Sequence, residues 1–393
     1  MSAKEKIKMA VIGVGVMGSL HVKDIIASAT TELAAVCDVD RPRADAIAAQ
    51  YGVRAFSDYR ELLAAGNLDG ILIATPHYDH APISMAAFAK GIHVLVEKPL
   101  AVHVQDAQKM IDAYQATQAQ KPDLVFAAMF MQRTYGHWRK IKELIENGAL
   151  GKLVRATWLI TDWFRPQIYY DNGGWRATWQ GEGGGVLLNQ CPHNLDLYQW
   201  FVGLPQRVTG FATLGKYHRI EVEDEVTAYF EYANGMVGHF ITTTAESPGT
   251  NRLEIVGENG KLVFENGKLT FFKNEFSMFR QIEIATGLFD KVACRTEDVP
   301  YTHHGQPGHK FIIENFANAI LHGAPLIAPA AEGINSVMLG NAIMLSAFLK
   351  QTVEIPIDAE AYARKLQELI NASKFQKTER TVEVKAAEMG KSF

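Results

Sequence analysis

The chain has 393 residues, 48% hydrophobic and 21% charged, with 39 Lys and Arg against 43 Asp and Glu for a formal net charge of −4. That balance excludes a basic nucleic-acid binder held by phosphate contacts and a low-hydrophobicity disordered chain. The length exceeds what one hydrophobic core usually supports, so two domains are expected, over 1–133 and 134–356, with a C-terminal helix and polar tail over 357–393.

Over the first 130 residues short apolar runs alternate with helical patterns at the spacing of repeated βα units. Strands are predicted at Lys8 to Ile12, Leu33 to Asp38, Gly70 to Thr75, His93 to Lys98 and Val125 to Phe130. Helices are predicted at Met17 to Ala27, Arg43 to Tyr51, Tyr59 to Ala65, His80 to Lys90 and Val104 to Thr117. The alternation implies a doubly wound parallel sheet covered on both faces. After Thr134 the rhythm changes: Asn234-Gly235, Asn259-Gly260 and Asn266-Gly267 each separate two β-rich runs. Asn-Gly supplies the positive φ angles of a tight hairpin, so an α+β domain with a large, mainly antiparallel open sheet is expected. Further helices are predicted at Lys310 to Leu321, Glu332 to Lys350 and Asp358 to Ala372, while Phe276 to Gly308 yields no assignment.

Cys37, Cys191 and Cys294 are few, far apart and without CxxC spacing, so neither a disulfide framework nor a cysteine zinc site is indicated. The apolar N-terminal run is broken by Gly13, Gly15 and Gly18, unlike a signal peptide. No stretch approaches the roughly 20 uninterrupted apolar residues that span a bilayer. A cytoplasmic location without membrane or nucleic-acid partners is the expectation.

Gly13-Val14-Gly15-Val16-Met17-Gly18 follows a predicted strand and opens a predicted helix. In such a turn the first glycine permits the bend, the second admits a pyrophosphate and the third lets helix and strand pack closely, while the helix N-terminus offers unpaired N–H groups. Asp38, 20 residues beyond Gly18, ends the second predicted strand, where its carboxylate can accept hydrogen bonds from an adenosine ribose. A 2′-phosphate about 4 Å from that carboxylate would meet repulsion on the order of 4 kcal/mol at an effective dielectric near 20, so NAD is favoured. Arg41 offers partial compensation, which keeps NADP open.

The segment His93-Val94-Leu95-Val96-Glu97-Lys98-Pro99 ends a strand at the edge where open α/β sheets bind ligands. With the glycine turn, the Thr75-Pro76-His77-Tyr78-Asp79-His80 run and the stretch Gly183 to His193, it resembles the Gfo/Idh/MocA oxidoreductase family over about Ile7 to Pro356. The resemblance implies a Rossmann domain followed by an α/β domain whose open sheet often mediates homodimers or homotetramers. It also implies an enzyme that oxidises or reduces a secondary hydroxyl of a sugar, inositol or related polyol with NAD(P). By motif match Lys98 is the lysine that orients substrate and stabilises developing charge, Pro99 follows it through a cis bond, and His193 is the acid/base. Thr75, Pro76, His77 and Glu97 would lie along the cofactor, and Trp175 and Arg176 would approach it from the second domain. Many family dehydrogenases place an Asp four residues before the histidine; this chain has Asn189, which can orient a hydroxyl or the ring but cannot relay a proton. Asp196, three residues after His193, is a substitute partner or, preferably, a helix-start or substrate-binding carboxylate.

Read as chemistry, His193 suits proton transfer near neutrality and Lys98 supplies a fixed charge beside an oxygen becoming alkoxide-like. His77 is expected near the nicotinamide ribose and His80 as loop support. His303, His304 and His309 lack a carboxylate at ligand spacing, so no metal is expected. Trp158, Trp163, Trp175 and Trp179 fall in one 22-residue window with Phe164, Tyr169 and Tyr170. Trp158 reads as core, and Trp163 and Tyr169 as a pocket wall for a sugar ring. Two alternatives accompany the dehydrogenase: a glycosidase that uses NAD transiently for oxidation and elimination, and a non-catalytic dinucleotide-sensing regulator.

Overall fold

The computed structural model describes residues 5–303 and 305–380. Its first sheet is built from β1 (Ile7–Ile12), β2 (Thr31–Cys37), β3 (Arg54–Phe56), β4 (Gly70–Ile73), β5 (His93–Val96) and β6 (Phe126–Ala128). Between them run α1 (Val16–Ala27), α2 (Arg41–Tyr51), α3 (Tyr59–Ala64), α4 (His80–Phe88) and α5 (Val104–Gln118). All neighbouring strands pair parallel, in the order β3-β2-β1-β4-β5-β6. Every residue of β4 and β5 is buried, as strands covered on both faces require. The order reverses between β1 and β4, which opens a crevice at the strands' carboxyl ends.

The second sheet uses β7 (Leu153–Ile160), β8 (Arg207–Leu214), β9 (Glu223–Glu231), β10 (Val237–Thr243), β11 (Asn251–Gly257), β12 (Gly260–Glu265), β13 (Lys268–Asn274), β14 (Cys294–Asp298) and β15 (Val353–Glu354). Around it lie α6 (Gly136–Glu146), α7 (Gln167–Asp171), α8 (Val186–Asn189), α9 (Pro192–Val202), α10 (Met278–Ile284), α11 (His309–His322), α12 (Gly333–Leu349) and α13 (Ala359–Ala372). The strand order is β14-β13-β12-β11-β7-β10-β9-β8-β15, antiparallel apart from the β7–β10 pair. Each Asn-Gly pair joins two antiparallel neighbours, β9–β10, β11–β12 and β12–β13, as its turn chemistry predicts.

The differences from expectation have local causes. The strands predicted to reach Asp38, Thr75, Lys98 and Phe130 stop one or two residues earlier, because those residues leave the sheet to form the crevice edge. β3 escaped notice because three residues, none fully buried, carry no hydrophobic run. The unassigned stretch holds α10 and β14, whose residues are largely exposed; His304 lies outside the described residues. The stretch Ala330–Leu349 is apolar and long enough to cross a membrane, but it is 67% buried in the protein, with α12 packed on α9 and β8.

The division at residues 133 and 134 is crossed by a later element. α11, expected in the second domain, packs on α1 beneath the parallel sheet, and its Ile312, Ile313 and Phe316 share one buried cluster with Met9, Val11, Val22, Ile25 and Leu95. The chain returns to the first unit because α1 and β1 leave an apolar face that α1 to α5 do not cover. Phe316 is fully buried, and a Cβ on Gly70 would come within 3.1 Å of its ring. Phe316→Ala is therefore expected to destabilise the first unit by about 3–5 kcal/mol in denaturant unfolding monitored by its own probes; a loss confined to the second unit would refute the packing.

Candidate active site

The glycine turn follows β1 as the sequence suggests. Gly13 takes φ +86°, and a Cβ on Gly18 would meet the Gly13 carbonyl oxygen at 1.8 Å, so helix and strand touch here only because Gly18 has no side chain. A Cβ on Gly15 would meet nothing within 4 Å, and no side chain caps the α1 N-terminus. The turn thus offers open space beside unpaired N–H groups, which fits a pyrophosphate. Val16 and Met17 form the first turn of α1 over that space. Asp38 is buried at the end of β2 and accepts the Val14 N–H at 2.8 Å and the Asp40 N–H at 2.9 Å. These residues would hold an adenosine diphosphate.

Arg41 does not accompany Asp38. It points outward to Asp45 (2.8 Å) one turn along α2, whereas Arg43, roughly opposite on the helix, reaches Asp38 at 3.3 Å and Asp40 at 2.9 Å. Arg43, not Arg41, is the arginine beside the Asp38 carboxylate.

Beyond β4 and β5 the chain builds the other end of the crevice. The Lys98-Pro99 bond is cis. Glu97, 7% exposed, accepts the Lys98 N–H at 2.9 Å and pairs with His21 Nε2 of α1 at 2.7 Å. Although burial opposes it, the hydrogen bond and charge of His21 hold the Glu97 carboxyl well below the usual range. Glu97, expected along the cofactor, is bonded in the structure to His21 and to the Lys98 main chain, so it braces the turn that carries Lys98. Both nitrogens of His80 face carbonyl oxygens, of Pro99 (2.9 Å) and Thr75 (3.1 Å), as expected of a loop support.

The second unit closes over this edge. Lys98 Nζ donates to the main-chain oxygen of Asn189 at 2.9 Å. Burial, with the nearby Arg176 charge, lowers the Lys98 pKa. Four residues after Asn189, at the start of α9, stands His193, buried, with its Nδ1 lacking a protein partner. Burial and then the Lys98 charge push its pKa down to about 3, so the ring is neutral. The glycine run is held by Glu223 of β9, which accepts the N–H groups of Gly185 (2.9 Å) and Leu187 (3.1 Å); a Cβ on Gly185 would lie 2.0 Å from the Glu223 carbonyl oxygen. Burial raises the Glu223 pKa to about 7.

Asn189 serves differently from expectation. Its side-chain amide donates to Glu182, and its oxygen accepts from Tyr169 (3.0 Å) and Gln190 (3.2 Å). Its link to Lys98 runs through the main chain. Glu182, 1% exposed and with its pKa raised by burial, also accepts the Ala177 N–H at 2.6 Å and lies 4.0 Å from Arg176. A buried carboxylate thus stands beside Asn189 at position 182; the signal for it in the sequence is the Gly181-Glu182-Gly183 step, since few charges sit inside a glycine run.

Across the crevice His77 Nδ1 donates to the Glu182 carbonyl (3.1 Å), Tyr78 Oη donates to the Trp179 carbonyl (2.8 Å), and the Trp175 ring stands edge-on to His77 at 5.3 Å. Arg176 lies over Trp175 (4.4 Å) and Tyr169 (5.0 Å), and Arg165 over Trp163 (5.3 Å) and Tyr169 (5.2 Å). Trp158 and Trp179 are buried in the core, while Trp163, Tyr169 and Trp175 remain half-buried. Buried polar atoms without protein partners gather here: Thr75 Oγ1, Trp163 Nε1, Arg165 Nε, Gln190 Oε1 and His193 Nδ1. Such atoms are normally paired, so a mixed set of donors and acceptors marks a place for a polar ligand.

Asp196 is a correction. The first turn of α9 carries it away from His193 to Arg133, which holds both oxygens at 2.8 and 2.6 Å with both residues 1% exposed. It is the structural partner of a buried cation and not a substrate contact. No group of three or more metal-ligating side chains occurs among the described residues.

A glycine-turn Rossmann unit whose lysine is capped by a second, sheet-bearing unit carrying a histidine defines a dinucleotide-dependent oxidoreductase. The chain belongs to the Gfo/Idh/MocA family: residues 7–121 match the oxidoreductase family NAD-binding Rossmann fold and residues 138–263 the Gfo/Idh/MocA C-terminal domain. It is 26% identical to the levoglucosan dehydrogenase of Pseudarthrobacter phenanthrenivorans, over 90% of this chain and 99% of that protein. It is 35% identical to an inositol 2-dehydrogenase of Pseudarthrobacter chlorophenolicus, over 61% and 71% respectively. Among solved structures it superposes on the WlbA dehydrogenase of Chromobacterium violaceum, in complex with NADH and UDP-GlcNAcA, with TM-score 0.77, 25% identity and coverage of 90% and 97%. NAD is thus the cofactor class of this enzyme.

Asp38→Ser should lower the ratio of NAD to NADP catalytic efficiency about tenfold or more, because Arg43 would then face the 2′-position without a competing carboxylate. An unchanged ratio in parallel assays with the two cofactors would mean that Asp38 does not read the ribose.

Proposed function

We propose that the enzyme transfers a hydride between NAD and a secondary hydroxyl of a cyclic polyol, a sugar, glycoside or cyclitol, with His193 as acid/base and Lys98 as electrostatic stabiliser. The observation that carries this reading is the 2.9 Å bond from Lys98 to the main chain of Asn189, which places the first unit's ammonium at the residue four before His193, near enough for its charge to act on that neutral imidazole. Bound nicotinamide would supply the acceptor for the hydrogen that leaves the hydroxyl-bearing carbon with its bonding pair, while the hydroxyl oxygen keeps its own pair as the proton departs.

The protein's own groups do the rest. Neutral His193 takes the hydroxyl proton, and fixed Lys98 stabilises the oxygen as it gains alkoxide character. Glu182 holds Asn189 and thereby the carbonyl that aims Lys98. Half-buried Trp163 and Tyr169 present aromatic surface for the apolar face of a ring, and the unpaired polar atoms beside them suit its hydroxyls. The names of the levoglucosan and inositol dehydrogenase relatives support a ring-shaped polyol. Thr75, Pro76, His77, Trp175 and Arg176 would line the nicotinamide end of the cofactor.

The test is NADH formation from NAD across levoglucosan, inositols, free sugars and glycosides. His193→Ala is expected to lower turnover on an accepted substrate by roughly 10² to 10⁴ with NADH binding retained; wild-type turnover would remove His193 from the mechanism.

A base acts in its unprotonated form, and a pKa drawn down to about 3 leaves His193 unprotonated throughout the neutral and mildly acidic range. The pH profile of kcat/KM for oxidation should therefore show no acid limb near 6.5, the value of an ordinary histidine. An inflection there would show that the ring is solvated in the working enzyme.

A further inference from the structure

The loop Asn172–Ala177 carries Trp175 and Arg176 over the crevice, and it lies in bends and turns instead of regular structure. What holds it from outside is the segment after α13. Lys377 Nζ donates to the main-chain oxygen of Arg176 at 2.8 Å, and the Arg380 N–H donates to the Asp171 oxygen at 2.9 Å, where residues 172 and 380 pair as a parallel bridge. Between these two bonds the segment lies so close that a Cβ on Gly174 would stand 3.1 Å from Glu379 Oε1. At its near end Ser373 donates to Glu221, whose other oxygen accepts the Trp179 N–H at 2.9 Å. The segment therefore runs along the loop, bonded directly to it at Lys377 and to its preceding flank at Arg380, and tied through Glu221 to the following flank at Trp179. On the inner side Trp175 meets His77 of the first unit.

We propose that residues 373–380 form a strap that sets the position of the Trp175–Arg176 loop, with Lys377 as its positioning residue, and that this hold governs how fast the dinucleotide leaves the enzyme. The inference rests on the reading above that Trp175 and Arg176 face the nicotinamide end. The Lys377 bond is suited to the task because it fixes a main-chain atom of the very residue that stacks on Trp175, and its ammonium shares the neighbourhood of Glu182 and Arg176. Removing it frees the loop without altering any group that touches substrate.

The experiment is displacement of bound NADH followed by stopped-flow fluorescence in the full-length protein, with Lys377→Met, Lys377→Arg and Trp175→Leu beside the wild type. Methionine keeps the stem and removes the donor. Lys377→Met should release NADH about three- to tenfold faster, the range that one net hydrogen bond represents, with an unchanged melting temperature and an unchanged single-turnover hydride-transfer rate. Lys377→Arg should restore release to within about twofold, because its guanidinium can donate to the same carbonyl. Trp175→Leu should also hasten release. If Trp175→Leu hastens release and Lys377→Met does not, the strap is refuted and the loop's place over the cofactor stands. If neither changes it, the loop reading itself fails. Faster release in Lys377→Met alone, or a matching loss of melting temperature, would also overturn the mechanism, since the effect would not pass through the loop.

Discussion

Among the hydrogen bonds between the two halves of this enzyme, one lies at the proposed catalytic centre: the ammonium of Lys98, just beyond β5, donates to the carbonyl of Asn189, at the end of α8. A buried cation without partners is costly, and burial indeed lowers this lysine's pKa. The surrounding structure answers that cost from both sides. Glu97, braced by His21, lies beneath it, and Glu182 orients the asparagine that receives it. The same desolvation keeps His193 neutral, so one environment sets the protonation of the imidazole proposed as base and lowers the pKa of the lysine proposed as its electrostatic partner.

The departure at position 189 gains a physical meaning in this setting. An aspartate beside Lys98 and His193 would set a second carboxylate next to Glu182, and two buried carboxylates in contact cannot both remain ionised without further compensation. With asparagine, Glu182 has a neutral amide beside it, and is joined to the main chain of residue 177 and, through that amide, to Tyr169.

What the sequence disclosed was whatever depended on local pattern. The parallel unit, the three Asn-Gly hairpins, the glycine turn and the position of the Glu97-Lys98-Pro99 step just beyond β5 all follow from periodicity, turn chemistry and motif. What escaped was set by partners distant in the chain. Arg43 displaced Arg41 at Asp38 because only the helix phase decides which of two arginines faces inward. Asp196 shares spacing with His193 but is claimed by Arg133, 63 residues earlier. His21, Glu182 and Glu223 carry no motif of their own, and their importance appears only once burial and hydrogen bonding bring them to Lys98, Asn189 and the glycine run.

The return of α11 to the first sheet bears on how the polypeptide is made. A nascent Rossmann unit emerging from the ribosome has its six strands by residue 128, yet one flank of its core stays bare until about 190 further residues have been synthesised and His309–His322 can dock. During that interval the mixed sheet must assemble beside an unfinished neighbour that exposes oily surface, a period suited to chaperone capture or to association between growing chains. The enzyme is thus two structural units but one folding problem, completed near its far end.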